Sequence, residues 1–146
     1  MKKMIIWVLA VLIPFSCHVF GNSDIEKEIT RILAKQRISW NTGDLESFMS
    51  YYWKSDRFTF QSGGKKLEGW ESLRLRYEKE YAGENMGKLN FTDLDIKVLS
   101  KDVVLVLGRW EVQLKDSLKG GRFTLVIQRK PEGWRIIHDH TSSDNT

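Results

Sequence analysis

The close of the chain carries the side chains from which proton transfer or metal binding would be built: His138, Asp139 and His140, set within Ile136-Ile137-His138-Asp139-His140-Thr141. This run reads as a strand, in which successive side chains leave opposite faces, so His138 and His140 share one face while Asp139 and Ile137 share the other. A histidine pair at this spacing can begin a metal site. A metal needs a third or fourth ligand, and the only other histidine, His18, lies near the N-terminus, leaving carboxylates such as Glu111 to complete the set. No metal is assigned on these grounds, because the same pair serves as well for hydrogen bonding in a pocket wall or at a dimer face. Asp139 is the candidate proton carrier, since an apolar cavity would raise its pKa toward the range useful for acid–base catalysis. Bonded to backbone or to Arg109, it would instead be structural.

Arg109 and Glu111 share one face of a second strand, with Trp110 on the other. Pointing inward, Arg109 would anchor an anion through two parallel hydrogen bonds; otherwise it pairs internally with Glu111 or Asp139, as buried charge requires. Tyr52, Trp53, Phe58, Phe60, Trp70, Tyr77 and Tyr81 supply either plain core or the walls of a cavity with hydroxyl handles for a small organic molecule. The candidate catalytic residues are therefore Asp139, His138 and His140. The candidate ligand-binding residues are Tyr52, Trp53, Phe60, Trp70, Tyr77, Arg109 and Glu111. Nothing matches a nucleophilic triad, a phosphate loop or a dinucleotide fingerprint, because Gly63-Gly64 and Gly120-Gly121 read as hairpin turns. No cofactor is expected.

These residues need elements to hold them. Ser23 and Glu26 form a capping-box pattern ahead of a helix that buries Ile25, Ile29, Ile32, Leu33 and Trp40. Asn41-Thr42-Gly43 ends it, and Asp44 caps a second helix with Leu45, Phe48, Met49 and Tyr52 on one face. A short hairpin turns at Ser62-Gly63-Gly64-Lys65. A third helix, from about Gly69 to Tyr81, shows Trp70, Leu73, Tyr77 and Tyr81 on its inner side. The last third predicts strands near Leu89–Leu99, Val103–Lys115, Arg122–Arg129 and Trp134–Thr141, antiparallel across turns at Ser100-Lys101-Asp102, Lys119-Gly120-Gly121 and Lys130-Pro131-Glu132-Gly133. A shift in apolar phase marks a bend near Asp93. Which sheet face lines a pocket is left open by the pattern.

The 146 residues, 41% of them hydrophobic, suffice for one ordinary core and fall short of two domains. Residues 1–21 differ in kind: Lys2 and Lys3 precede an apolar run from Met4 to Phe15, followed by Val19-Phe20-Gly21 as a cleavage pattern, which predicts a signal peptide and an exported, periplasmic or extracellular domain over 22–146. The run is shorter than the roughly 20 residues that span a bilayer. Cys17 is the single cysteine, which excludes an intrachain disulfide and leaves lipid attachment there as the alternative to cleavage after Gly21. The net charge of +4 becomes +2 without Lys2 and Lys3, too mild to imply nucleic acid.

Three helices, an early hairpin and a long meander in this order resemble the nuclear-transport-factor-2-like superfamily, which includes ketosteroid isomerases and SnoaL-like cyclases. Trp40-Asn41-Thr42-Gly43-Asp44-Leu45, Tyr52-Trp53, Leu107-Gly108-Arg109-Trp110 and Gly133 through Ser142 look like a bacterial SnoaL-like family within it, over essentially all of Asp24 to Ser142. The resemblance implies an α+β, cystatin-like fold: a cone-shaped, curled antiparallel sheet packed with three N-terminal helices around one pocket. It further implies a homodimer whose partner is a small organic molecule. The alternatives are a cofactor-independent isomerase, dehydratase or cyclase, using Asp139 or a histidine with Tyr52, Tyr77 or Arg109 stabilising charge, and an interaction module whose outer sheet face includes Trp110 or Trp134. The ending Trp134 to Ser142 is also similar to the association domain of calcium/calmodulin-dependent protein kinase II. Where that domain places a pocket arginine, this chain has Leu125 or a neighbour, so the resemblance does not extend to its anion site.

Overall fold

The computed structural model describes residues 21–81 and 86–144. The signal peptide, Cys17 and His18 expectations lie outside the described residues, apart from Gly21. Helix α1 spans Asn22–Asn41, α2 spans Leu45–Met49 and α3 spans Trp70–Glu80; strands are β1 Thr59–Ser62, β2 Lys65–Glu68, β3 Lys88–Ser100, β4 Val103–Gln113, β5 Leu118–Lys130 and β6 Gly133–Thr141. The strands form a single sheet in the order β2-β1-β6-β5-β4-β3.

Helix α1 buries Ile25, Ile29, Leu33, Gln36 and Trp40, a stripe of three- and four-residue steps that lies against β3. Its N-terminus differs from the sequence reading. Gly21 occupies the cap position without a side-chain bond, so Ser23 already has helical backbone and cannot act as the cap. At the other end, the Asn41 amide donates to the Leu89 carbonyl at 2.9 Å and its Oδ1 accepts from the Leu89 N–H at 2.7 Å. One side chain thus pairs with the free edge of β3 as a neighbouring strand would. Trp40 Nε1 adds a bond to the Met86 carbonyl at 3.0 Å, which explains why Trp40 and Asn41 are adjacent. The Asp44 cap is as expected, its Oδ1 accepting from Ser47 N–H at 2.9 Å.

The sheet departs from pure antiparallel order in one pairing. β1 and β2 form the expected hairpin, with Gly63 and Gly64 both at positive φ, but β1 then lies parallel to β6. The segment ahead of β1 already runs parallel to β6: the Ile136 N–H donates to the Tyr51 carbonyl and the Trp53 N–H to the Ile136 carbonyl, each at 2.9 Å. The parallel pair β1 and β6 is joined by a long connection through β2, α3 and β3 to β5, whereas neighbours in the meander β3 to β6 follow one another directly.

Three register shifts interrupt the sheet: one between Val98 and Ser100 at the end of β3, and two others. The β3 register slips between Thr92 and Asp95, with Asp93 at φ 51°, a left-handed conformation aspartate tolerates, as the phase shift in the sequence indicated. The second has no sequence mark: Val126 faces His138 and Ile127 faces Ile136, so Ile137 is an extra residue in β6. The Gly120-Gly121 turn is also a correction. The turn runs through residues 114–117, closed by the Leu114 N–H to Ser117 carbonyl bond at 2.8 Å, and both glycines lie within β5. A Cβ on Gly121 would sit 1.9 Å from the Ser142 carbonyl oxygen, so these glycines admit the C-terminal segment rather than a turn.

Candidate functional site

A cavity of about 170 Å³ lies between the helices and the concave face of the sheet. α1 contributes Gln36 and Trp40, the α2 region Phe48 and Tyr52, β1 Phe60, and α3 Arg76, Tyr77 and Tyr81. The sheet supplies Leu89, Phe91, Trp110, Val112, Phe123 and Leu125 as an apolar wall, then Asp139 and Thr141. The helix-side rings pack edge to face: Tyr77 stands 6.0 Å from Trp40, 6.2 Å from Phe60 and 5.4 Å from Tyr81 between centroids.

Asp139 is 4% exposed, and each carboxylate oxygen meets one hydroxyl: Tyr52 donates to Oδ2 at 3.0 Å and Thr141 to Oδ1 at 2.9 Å. Burial pushes its pKa up to about 6, against the two donated bonds and the positive charge of His140, which pull it down. Tyr52 and Tyr77 are held well above the usual phenol range, first by burial and then by the Asp139 charge, so both remain neutral donors. Local chain geometry explains the trio. Pairing at Ile136 brings Tyr52 alongside β6, the parallel register sets Phe60 opposite Asp139, and the extra residue at Ile137 turns Asp139 to the side already occupied by Trp134 and Ile136.

Of the residues singled out in the sequence, Asp139, Tyr52, Phe60 and Tyr77 meet in this cavity. The others do not. His138 and His140 lie off the cavity: His138 Nδ1 is 2.6 Å from Thr59 Oγ1, and His140 is exposed. Partial burial, then the neighbouring His140, lower the pKa of His138. Arg109 is committed outside, its Nε to Glu111 Oε1 at 3.1 Å and a terminal nitrogen to Asp144 Oδ2 at 2.5 Å, so the pairing is with Glu111 and not with Asp139. These carboxylates raise the Arg109 pKa, Asp144 first. Alternation correctly put Arg109 opposite Trp110, and Trp110 is the one that lines the cavity. Trp53 lies under the Lys130 ammonium, 3.9 Å from its ring centroid, and Trp70 donates from Nε1 to the Met49 carbonyl at 3.0 Å, away from the cavity. Trp134 is core at 2% exposure, so neither tryptophan named for an outer interaction face stands on one.

Sequence reasoning missed Gln36, Arg76 and the β3–β5 wall. Gln36 was detectable as the single polar member of an apolar stripe on α1; the wall was not, because strand alternation does not say which face turns inward. Among the described residues no three His, Cys, Asp or Glu side chains come together in a way that could hold a metal ion. Among them too, no helix is long and apolar enough to cross a membrane.

The family model described as "SnoaL-like domain" matches residues 31–144. The chain belongs to the SnoaL-like domain family. Its structure is similar to that of a nuclear-transport-factor-2-like protein of unknown function from Shewanella oneidensis, with 34% identity, a TM-score of 0.78, and coverage of 81% of this chain and 98% of that one. A nuclear transport factor 2 superfamily protein from Salmonella enterica serovar Typhimurium aligns at 20% identity and TM-score 0.71, covering 86% of this chain and 95% of that one. A protein of unknown function with a cystatin-like fold from Nostoc punctiforme aligns at 15% and 0.70 over the same shares. The last two similarities speak to the fold alone. No curated protein matches the chain. This SnoaL-like domain is thus an α+β, cystatin-like cone with an unclosed, curled, mixed sheet and an aromatic cavity that also takes in polar side chains.

Proposed function

We propose that this SnoaL-like domain is an exported protein that binds a small, partly apolar organic molecule in its cone. The observation that carries the reading is the cavity of about 170 Å³ in which aromatic walls surround the Tyr52–Asp139–Thr141 group. Benzene enters an engineered cavity of roughly 150 Å³, so a single ring or a short branched chain is the size class. Export rests on the leader-like residues 1–21, and a homodimeric state on the family resemblance. Trp40 and Trp110 line the cavity, so titration with ring compounds should change tryptophan emission. Leu125→Trp fills the space from the sheet side and is expected to weaken binding about tenfold or more, with the fold retained by circular dichroism. Undiminished binding in that variant would place the ligand elsewhere.

A second reading, acid–base catalysis, is favoured by one specific observation: a buried carboxylic acid with pKa about 6, bonded to a neutral tyrosine and facing a cavity. Such a group takes or returns a proton near neutral pH. The expected result is catalysed exchange of α-hydrogens of a bound ketone in heavy water, followed by NMR, and a drop of about a hundredfold or more in Asp139→Asn. Exchange at the same rate in that variant would leave binding as the only function of the cavity.

A further inference from the structure

Gln36 is 1% exposed, lies on the buried stripe of α1 and lines the cavity; its Nε2 is the only buried side-chain nitrogen or oxygen among the described residues with no hydrogen-bond partner. Its neighbours on that stripe are apolar: Leu33 precedes it and Trp40 follows. Leaving two N–H donors unmet in such a place is costly, and buried amides are normally satisfied. Trp40 shows the contrast, because its indole N–H, equally deep, is given the Met86 carbonyl. We propose that the Gln36 amide is the recognition group for the cavity's ligand, donating to a neutral acceptor oxygen, a carbonyl or hydroxyl, on an otherwise apolar ring-sized molecule. This rests on the proposal that the cavity binds a ligand, and adds the ligand's chemistry.

The rest of the cavity supports a neutral partner. A carboxylate would stand in the same small space as Asp139, where two anions oppose each other. The one arginine in the lining, Arg76, has its Nε bonded to Glu80 at 3.1 and 3.0 Å and its guanidinium over the Phe60 ring at 5.3 Å. An alkylammonium could pair with Asp139 but, having no acceptor, would leave Gln36 Nε2 unmet. A hydrocarbon would leave Gln36 as unmet as before. A ketone or alcohol accepts from the amide and places only C–H surface on the wall of Leu89, Val112 and Leu125.

The test uses four probes with one six-membered ring: cyclohexanone, cyclohexanol, methylcyclohexane and cyclohexanecarboxylate, titrated by ligand-detected NMR at pH 7.5 against the folded domain. The ketone and alcohol are expected to bind about tenfold or more tightly than the hydrocarbon, with the carboxylate weakest. In Gln36→Met that preference collapses to about threefold or less. Equal affinity for the ketone, alcohol and hydrocarbon in the wild type, or tightest binding by the carboxylate, overturns the inference and leaves the binding function standing. Binding by none of the four removes the binding proposal, and this one with it. Thermal melting gives a separate readout: Gln36→Met loses no bond, so its unliganded Tm stays level or rises. A fall of several degrees, or failure to fold, would show the amide to be structural and would overturn the assignment.

Discussion

Raising the pH from 4 to 8 should cost the wild-type domain about 2 kcal/mol of stability relative to Asp139→Asn, read from parallel urea titrations. The sign follows from where the proton is held. An unfolded aspartate ionises near 3.8, whereas burial raises the folded Asp139 to about 6, so between these values the native state carries the extra proton. Its stabilising contribution is complete well below 3.8, has begun to fall by pH 4 and is lost as pH rises through about 6, about 1.4 kcal/mol for each pH unit of the gap. Asparagine has no proton to lose. It presents an oxygen to one of the Tyr52 and Thr141 hydroxyls and an amide to the other, and the hydroxyls can rotate to suit, so any cost of the substitution is the same at every pH. Surface carboxylates in ion pairs, such as Glu71 with Arg74, titrate alike in both proteins and cancel in the difference. A difference that stays constant from pH 4 to 8 would mean that water reaches Asp139, and with it the acid–base reading would fall.

Trp134→Ala is expected to cost about 3–5 kcal/mol in the same assay, the range for removing a large buried aromatic side chain. The indole is 2% exposed, its Nε1 donates to Glu28 Oε2 on α1 at 3.0 Å, and the Arg129 guanidinium lies 4.3 Å from its ring centroid. It therefore joins α1, β5 and β6 in one contact. Trp134→Phe keeps most of the volume and gives up the Glu28 bond, so its cost should be about 1–2 kcal/mol. Because Trp134 does not line the cavity, ring-compound affinity measured well below the Tm should be unchanged in Trp134→Phe. A loss below about 2 kcal/mol for the alanine variant would show that α1 is held mainly by Asn41 and Trp40 at its other end.

Local pattern made a good part of this domain legible. The Gly63-Gly64 turn, the Asp44 cap and the bend at Asp93 each depend on φ values or hydrogen bonds within a few residues, and each was readable. Asp139, Tyr52, Phe60 and Tyr77, which line the cavity, also stand out in the chain, because aromatic side chains and the lone carboxylate of the last strand are visible without knowledge of their partners. The Ser23 cap and the Gly120-Gly121 turn were misread for one reason. Both residue types have two uses, and only Asn22 being helical and Ser142 passing over Gly121 decided between them.

The face of the sheet was beyond local pattern. Period-two alternation separates Arg109 from Trp110 and His138 from Asp139, yet says nothing of which member turns inward. That depended on the helices covering one side, on β1 joining β6 in parallel, and on the extra residue at Ile137, which no glycine or proline marks. Gln36 is the sharpest case: its position on the α1 stripe follows from helical geometry in the chain, but only the packed cone shows that its amide has been buried without a partner. Spacing along the chain decides which side chains are neighbours within an element. Burial, pKa and the supply of hydrogen-bond partners depend on contacts between residues as far apart as Tyr52 and Asp139, which exist only once the sheet has closed over the helices.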